Sequence, residues 1–427
     1  SFAPGAWQQA TQTLLKTPPR ELAFANFDVA VRDLQRAAGG DRLVLASLKR
    51  AQAERLTATR QLENGEWMES LAHAENSKRA LFEAFYRIQR PVTPEFRGIW
   101  CHRGYGIEGW TWDKTARLLK NAGMNALFVN MMNGSTAYYP SDYLVPHPAA
   151  DGAPDHLQKC LTACRRYGIE CHVWQVCFRL DDSLENEEIA DLERAGRLQV
   201  SQSGKVNRRW LCPMHPENRK LQVKITEELL RRYPIDGLHL DYIRFAGEDH
   251  CFCENCRQAF ESQLGRRLTD WPQVIQQKAD LNQQWHTFRQ SVINEHVAQI
   301  RKLINSIRPT AKLSAAVFPD PARAPQTVAQ NWPAWCQRRD LDFVCPMNYT
   351  AEHRHLRDLV ARQLQAAGDT PVYSGIGLTT HNLGASGAIR QINTVRQLRA
   401  GGFILFEVNA STAINVLPHL AKGLTGR

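Results

Sequence analysis

One pattern narrows the possible folds more than any other. Between residues 96 and 406, short apolar runs alternate with amphipathic helical segments. The strand-like runs are 96–101, 125–130, 169–176, 237–240, 312–318, 341–347, 372–376 and 403–406, eight in all. Helical spacing fills 111–122, 155–167, 217–233, 330–338, 356–367 and 389–400, and resumes near Ala413. Strands alternating with helices build a parallel sheet, and eight of them close it into a barrel. The expected class is therefore α/β, a (β/α)8 TIM barrel. An open, doubly wound sheet would need a glycine-rich phosphate loop after an early strand. Gly104-Tyr105-Gly106 follows the first strand but lacks a third glycine and an immediate helix.

The remaining chain hangs on this frame. Residues 1–92 are helix-prone and lack strand patterns, so two or three helices are expected there, beside a barrel spanning 93–427. Pro91 and Pro94 close that segment, because proline cannot continue a helix. A long excursion occupies about 177–216. After the fourth strand comes a helical insertion in which Trp285, Phe288, Val292, Ile293, His296, Val297, Ile300 and Ile304 keep helical spacing.

Bulk properties exclude several classes. A chain of 427 residues with 43% hydrophobic content is long enough for a barrel and an appendage. It has no apolar run of about 18 residues, so no membrane span is expected. Ser1-Phe2-Ala3-Pro4-Gly5 shows no basic region leading into an apolar core; a signal peptide, if one exists, precedes this sequence. The net charge of +10 would attract polyanions, but the charges are scattered and no zinc-finger, RNP or basic-zipper pattern accompanies them. Nucleic acid is not an expected partner; such a partner would show steep salt dependence. No cofactor motif is present.

Eleven cysteines cannot all pair within one chain. Cys171 and Cys345 fall in strands and read as small core residues. Cys251, Cys253 and Cys256 cluster locally. Their thiols suit zinc or a disulfide, but zinc wants four ligands and no second Cys-x-x-Cys follows. The sequence favours a structural loop staple, with no metal assigned.

In a barrel of this kind the carboxyl ends of the strands form the catalytic face. Strand one delivers Trp100, His102 and Arg103; strand two Asn130, with Tyr138 and Tyr139 beyond. Strand three carries His172, Trp174 and Gln175; strand four His239, Asp241 and Arg244. Asp320 follows strand five, Asn348 and Tyr349 end strand six, and Glu407 and Asn409 follow strand eight. Each alone has a plain structural role. Together they form a rim of aromatics, amides, imidazoles and acids that suits a sugar: rings stack on pyranose C–H faces, and amides and acids bond hydroxyls. Gly-x-Ser-x-Gly is absent, so no serine nucleophile competes.

Glycoside hydrolysis needs two carboxyl groups flanking the bond. Asp241 is the first candidate. His239, two residues earlier, leaves the strand on the same face and is expected to orient or tune that carboxyl. Glu407 is the best-placed second acid, with Asp320 next and loop acids such as Glu217 behind. Asp236 and Asp342 open their strands at the barrel bottom and read as structural. Strands four and eight face each other across a closed barrel, which favours the longer carboxyl spacing and inversion. The rival reading is a non-catalytic glycan-binding barrel that keeps the rim without a working acid pair.

Several segments resemble a known family. They are Arg97-Gly98-Ile99-Trp100, Gly123-Met124-Asn125, Ala137-Tyr138-Tyr139-Pro140-Ser141, His172-Val173-Trp174, Trp210-Leu211-Cys212-Pro213, His215-Pro216-Glu217-Asn218-Arg219, the stretch Asp236 to Arg244, and Cys345-Pro346-Met347-Asn348-Tyr349-Thr350. In this order, across about 95–410, they resemble the glycosyl hydrolase-like family ten domain. The resemblance implies a (β/α)8 barrel and hydrolysis of bacterial envelope or extracellular glycans, hence a periplasmic or secreted setting. Relatives of that kind include hydrolases of denuded peptidoglycan and of partly deacetylated poly-N-acetylglucosamine. The family's strand-four acid carries onto Asp241; Glu407 rests on its placement alone.

Overall fold

The structure, a computed structural model, describes residues 4–16, 22–150 and 155–426. Ser1, Phe2 and Ala3, at the start of the segment without a leader pattern, lie outside that range. Eight parallel strands form the centre: β1 (Phe96–Cys101), β2 (Ala126–Asn133), β3 (Glu170–Val176), β4 (Gly237–Asp241), β5 (Lys312–Val317), β6 (Phe343–Pro346), β7 (Tyr373–Gly377) and β8 (Gly402–Phe406). Ladders join β1 through β6 in sequence, then β1 to β8 and β8 to β7. Parallel bridges at Val344–Val372 and Met347–Gly375 link β6 to β7 and complete the ring. The fold is the expected barrel. β4 reaches one residue further than its apolar run, so Asp241 is its last residue.

Alternation along each strand decides what enters the barrel. Phe96, Gly98 and Trp100 point inward from β1, and Phe128 and Asn130 from β2. Glycines make room for the large rings. A Cβ on Gly237 would stand 2.2 Å from His172 Nδ1, and one on Gly375 would meet the Trp100 ring at 3.0 Å. The barrel interior is a separate apolar cluster built on Trp100, Phe128, Trp174, Phe343 and Ile404. A larger cluster fills the space between the barrel and its helices.

Four helices precede the barrel, where two or three were expected: Pro4–Lys16, Phe27–Ala38, Arg42–Glu63 and Trp67–Arg87. The last packs on the barrel's closing end, with Tyr86 4.7 Å from the His419 ring. The excursion after β3 holds a helix, Asn186–Arg194, and an antiparallel hairpin of Leu198–Val200 with Val206–Leu211. These strands are short and carry no strong periodicity, so no local signal marks them in the sequence. The insertion after β4 ends in the 29-residue helix Ala279–Ile307. The two insertions join: Phe252 N donates to Val200 O at 2.8 Å, and Ala246 N to Gln199 Oε1 at 3.1 Å. Among the described residues no helix is long and apolar enough to cross a membrane.

Candidate active site

Asp241 lies at the carboxyl end of β4, only 5% exposed. Its Oδ1 accepts the Tyr242 amide at 2.6 Å. Burial pushes the carboxyl up to about 6; Arg244, the Tyr242 amide, the Trp174 indole and Arg179 pull the other way and do not compensate. The Trp174 N–H that faces it has no well-formed hydrogen bond of its own. Arg244 is wedged among three rings, 4.8 Å from Trp210, 4.7 Å from Tyr242 and 4.8 Å from Phe318. Its Nε has no partner, so part of a buried guanidinium is unspent beside the carboxylate. Tyr242 adopts a left-handed φ of 50°, a conformation that costs energy in a non-glycine residue and turns the chain sharply out of β4.

Glu407 follows β8 directly. Its Oε2 accepts the His102 amide at 3.1 Å. Burial raises its carboxyl too, against the His102 amide and the charges of His102 and Arg103. β4 and β8 stand four places apart in a ring of eight, on opposite walls. Aromatic rings fill the floor between them. Trp174 lies 6.4 Å from Phe406, Phe406 lies 5.2 Å from Tyr349, and His102 meets Trp174 edge-on at 5.6 Å. The Tyr349 phenol is held well above its ordinary range by burial first, then by charges that include both Asp241 and Glu407. Both acids therefore lie within electrostatic reach of the same partly buried tyrosine. Asn130 adds a buried amide oxygen without a partner, on β2 next to Trp174.

Other expected site residues are placed elsewhere. His239 does point inward below Asp241, but both its nitrogens are taken. Trp100 Nε1 donates to His239 Nε2 at 3.1 Å, and Nδ1 lies 2.8 Å from Ser314 Oγ. An indole N–H only donates, so the His239 proton sits on Nδ1 and goes to Ser314. Burial holds this imidazole neutral, and no bond links it to Asp241. Trp100 belongs to the same packed layer, not to the rim.

His172 lies deeper still, stacked 4.4 Å from Phe128 with Nε2 3.0 Å from Glu170 Oε2. Gln175 has the opposite parity and leaves the barrel. Its amide donates to Gln222 at 2.9 Å, and Thr226 donates to its Oε1 at 3.0 Å. Asn348 is buried against the following helix, donating to Gln363 at 3.0 Å and Ser374 at 2.9 Å. Tyr139 packs outside the barrel, 5.6 Å from the Tyr233 ring.

Asp320 accepts the amides of Ala322 and Arg323 in a turn, with Arg362 3.4 Å from its other oxygen. Asn409 caps Ala410–Asn415 in a capping box with Thr412. These residues are corrected to structural roles. Each had a strand-end address, but side-chain parity, depth or capping chemistry sends it away from the mouth. Asp236 accepts the Cys171 amide at 2.8 Å, and Asp342 the Leu313 amide at 2.6 Å; both tie neighbouring strands at the bottom. Glu217 is exposed in the first turn of its helix.

The strand-end inventory does not include Tyr242, Arg179, Trp210 or Phe406. Trp210 arrives on the hairpin, 5.5 Å from Tyr242, and only the fold brings it there. The cysteine cluster also gains a member. Cys212, Cys251, Cys253 and Cys256 are all buried, with their sulfurs within 4.8 Å of one another. A second buried group, Cys160, Cys164 and Cys171, holds three thiols.

A family model described as glycosyl hydrolase-like 10 matches residues 95–389, a span that includes Asp241 and ends before Glu407. Glycosyl hydrolase YngK of Bacillus subtilis (strain 168) is 22% identical over 253 residues, 54% of this chain and 47% of its own length. An S-layer-related protein of Niallia circulans is 28% identical over 239 residues, 46% of this chain and 15% of its own. The chain thus spans less than half the length of either curated relative. Among solved structures, the PgaB (BpsB) glycoside hydrolase domain from Bordetella bronchiseptica aligns with a TM-score of 0.60 at 15% identity, over 73% of this chain and 94% of that one. The catalytic domain of β-amylase from Paenibacillus polymyxa aligns with a TM-score of 0.53 at 15% identity, over 74% and 93%. These two likenesses show the fold.

Proposed function

The chain belongs to the glycosyl hydrolase-like 10 family, and from that premise we propose that it hydrolyses glycosidic bonds with Asp241 and Glu407 as its acid pair. One observation carries the reading: a buried carboxyl, Asp241, and a partly buried one, Glu407, both pushed upward, stand on opposite walls of the barrel mouth with aromatic rings between them. A carboxyl raised to about 6 keeps its proton in mildly acidic solution, where an ordinary aspartate has lost it, as a general acid must. Asp241 protonates the leaving oxygen. Glu407, held by the His102 amide, activates water on the far side of the sugar, and the anomeric configuration inverts. Trp174, Tyr349 and Phe406 stack on the sugar faces, while Arg244, His102 and Asn130 bond hydroxyls. His239 is a positioning residue that braces the Trp100 layer beneath.

The substrate class is a bacterial envelope or extracellular polysaccharide. The family's glycan chemistry and the likeness to an S-layer-related protein support this reading. The deciding experiment incubates the protein with a panel of envelope and extracellular glycans and follows new reducing ends and their anomeric form by NMR. Release of reducing ends in the inverted anomer is expected. Retention of glycan without new reducing ends identifies a binding barrel instead.

A further inference from the structure

We propose that Cys212, Cys251, Cys253 and Cys256 bind one zinc ion in a tetrahedral, all-thiolate structural site. Sequence spacing supplies three of these thiols as Cys-x-Cys-x-x-Cys, and the fold supplies the fourth from the end of the hairpin, 39 residues upstream of Cys251. All four sulfurs lie within 4.8 Å of one another. Cys212 is 3.4 Å from Cys256 and 3.5 Å from Cys253, sulfur to sulfur. A zinc–sulfur bond of about 2.3 Å in a tetrahedron puts sulfurs about 3.8 Å apart. A disulfide would need about 2.05 Å, and all eleven cysteines are free. One ion thus fits the spacing of all four sulfurs together, whereas a disulfide would use two and leave two thiols stranded.

Two further features answer the charge of such a site. A zinc ion with four thiolates carries a net charge of about −2. Arg289, on the long insertion helix, is completely buried next to them, and its Nε and Nη1 have no hydrogen-bond partner. Its Nη2 donates to Gly247 O at 2.5 Å, and Cys256, Cys251, Glu248 and Asp249 all lie within electrostatic reach of it. A buried guanidinium without a carboxylate bonded to it is costly unless something anionic lies close. The Val200 amide also donates to Cys251 Sγ at 3.2 Å. Backbone and side-chain donors aimed at sulfur are what hold a thiolate metal site in place. The other thiol group, Cys160, Cys164 and Cys171, has three sulfurs and remains a core cluster.

The site has a task. It staples the hairpin after β3 to the loop after β4. Trp210 stands two residues before Cys212, and Arg244 seven before Cys251. Fixing both loops fixes the Trp210–Arg244 stack beside Asp241. The role is structural, since none of the four thiols bonds to Asp241 or Glu407 among the described residues.

The test begins with the unmodified protein, purified without chelator or nickel resin. Elemental analysis should give one zinc per chain. Exchange with Co2+ should give the intense thiolate-to-cobalt charge-transfer bands of a tetrahedral site. A strong chelator should lower Tm, and added zinc should restore it. Cys212→Ser and Cys256→Ser should lose the metal. Metal-free wild type whose four thiols are alkylated in the native state, or found by mass spectrometry in disulfides, overturns the proposal. So does zinc retained at full stoichiometry in a folded Cys212→Ser variant. The wild-type measurements decide even if both variants fail to fold.

Discussion

At the amino end of the barrel, Glu170 lies 2.7 Å from Lys312 Nζ and 3.0 Å from His172 Nε2. At the carboxyl end, Asp241 has one backbone amide at 2.6 Å and a guanidinium turned partly away. The first carboxyl is lowered to about 2, chiefly by the His172 hydrogen bond and with help from Lys312. The second is raised to about 6, chiefly by burial. Both residues sit on adjacent strands of one sheet. The difference is what surrounds them. At the bottom, each acid is bracketed by donors that stabilise its charge. At the mouth, polar groups go unspent: the Asn130 amide oxygen and the Arg244 Nε have no partner, and the Trp174 N–H faces Asp241 without a well-formed hydrogen bond. Unspent polar groups around an unrelieved carboxyl are the observation on which the proposed site rests.

The largest test removes the acids. Asp241→Asn keeps the shape and the bond from Tyr242 but provides no acidic proton, and should lower kcat about 10²–10⁴-fold. Glu407→Gln should do the same. Near-native kcat in Asp241→Asn on a cleaved glycan would end the assignment. Near-native kcat in Glu407→Gln alone would leave Asp241 standing and move the second role to another acid. The pH profile sharpens the same contrast. A general acid must be protonated, so kcat/KM should fall as pH rises through about 6, approaching tenfold per unit above it. A profile flat from pH 5 to about 8 would contradict the role.

A smaller effect lies in stability. Burial raises the folded Asp241 carboxyl from its ordinary 3.8 to about 6, so ionising it opposes folding. That cost is absent below pH 4, grows between about 4 and 6, and is complete above. It amounts to something on the order of 2–3 kcal/mol. Asp241→Asn should therefore be more stable than wild type at pH 7 and equal to it near pH 3.5, as read by chemical denaturation. Greater wild-type stability at pH 7 would mean that this carboxylate is relieved by its neighbours, like those at the bottom.

How much of this was legible in the sequence follows from the range of each interaction. The barrel was legible because strand and helix periodicities are local and repeat eight times. The position of Asp241 at the carboxyl end of β4 was legible because it directly follows an apolar strand run. The wrong rim residues share one cause: a strand-end address fixes height only roughly, and parity decides the rest. Gln175 and Trp174 are neighbours in sequence, yet one faces a helix and the other the mouth. Asn409 was a helix cap, a role its Thr412 partner three residues on could have signalled. Cys212 and Trp210 were beyond local reading, because their partners lie on the far side of a barrel helix and β4 in sequence and such contacts leave no periodicity.

The smallest expected effect tests the bottom of the barrel. Glu170 is depressed from 4.5 to about 2, so its ion pair adds stability that is present above pH 4.5 and lost as pH falls towards 2. Its side chain is 39% exposed, so solvent screens much of that gain. Glu170→Gln should destabilise the protein by roughly 0.5–1 kcal/mol near neutral pH, with the difference vanishing as pH approaches 2. His172 keeps its stack on Phe128 in this variant, so the barrel interior and kcat should be unchanged. The two carboxyl variants then move in opposite directions: Asp241→Asn more stable and inactive, Glu170→Gln less stable and active. A drop in kcat for Glu170→Gln comparable to that of Asp241→Asn would mean the bottom layer is coupled to the chemistry. The division between a bracketed end and a reactive end would then fail.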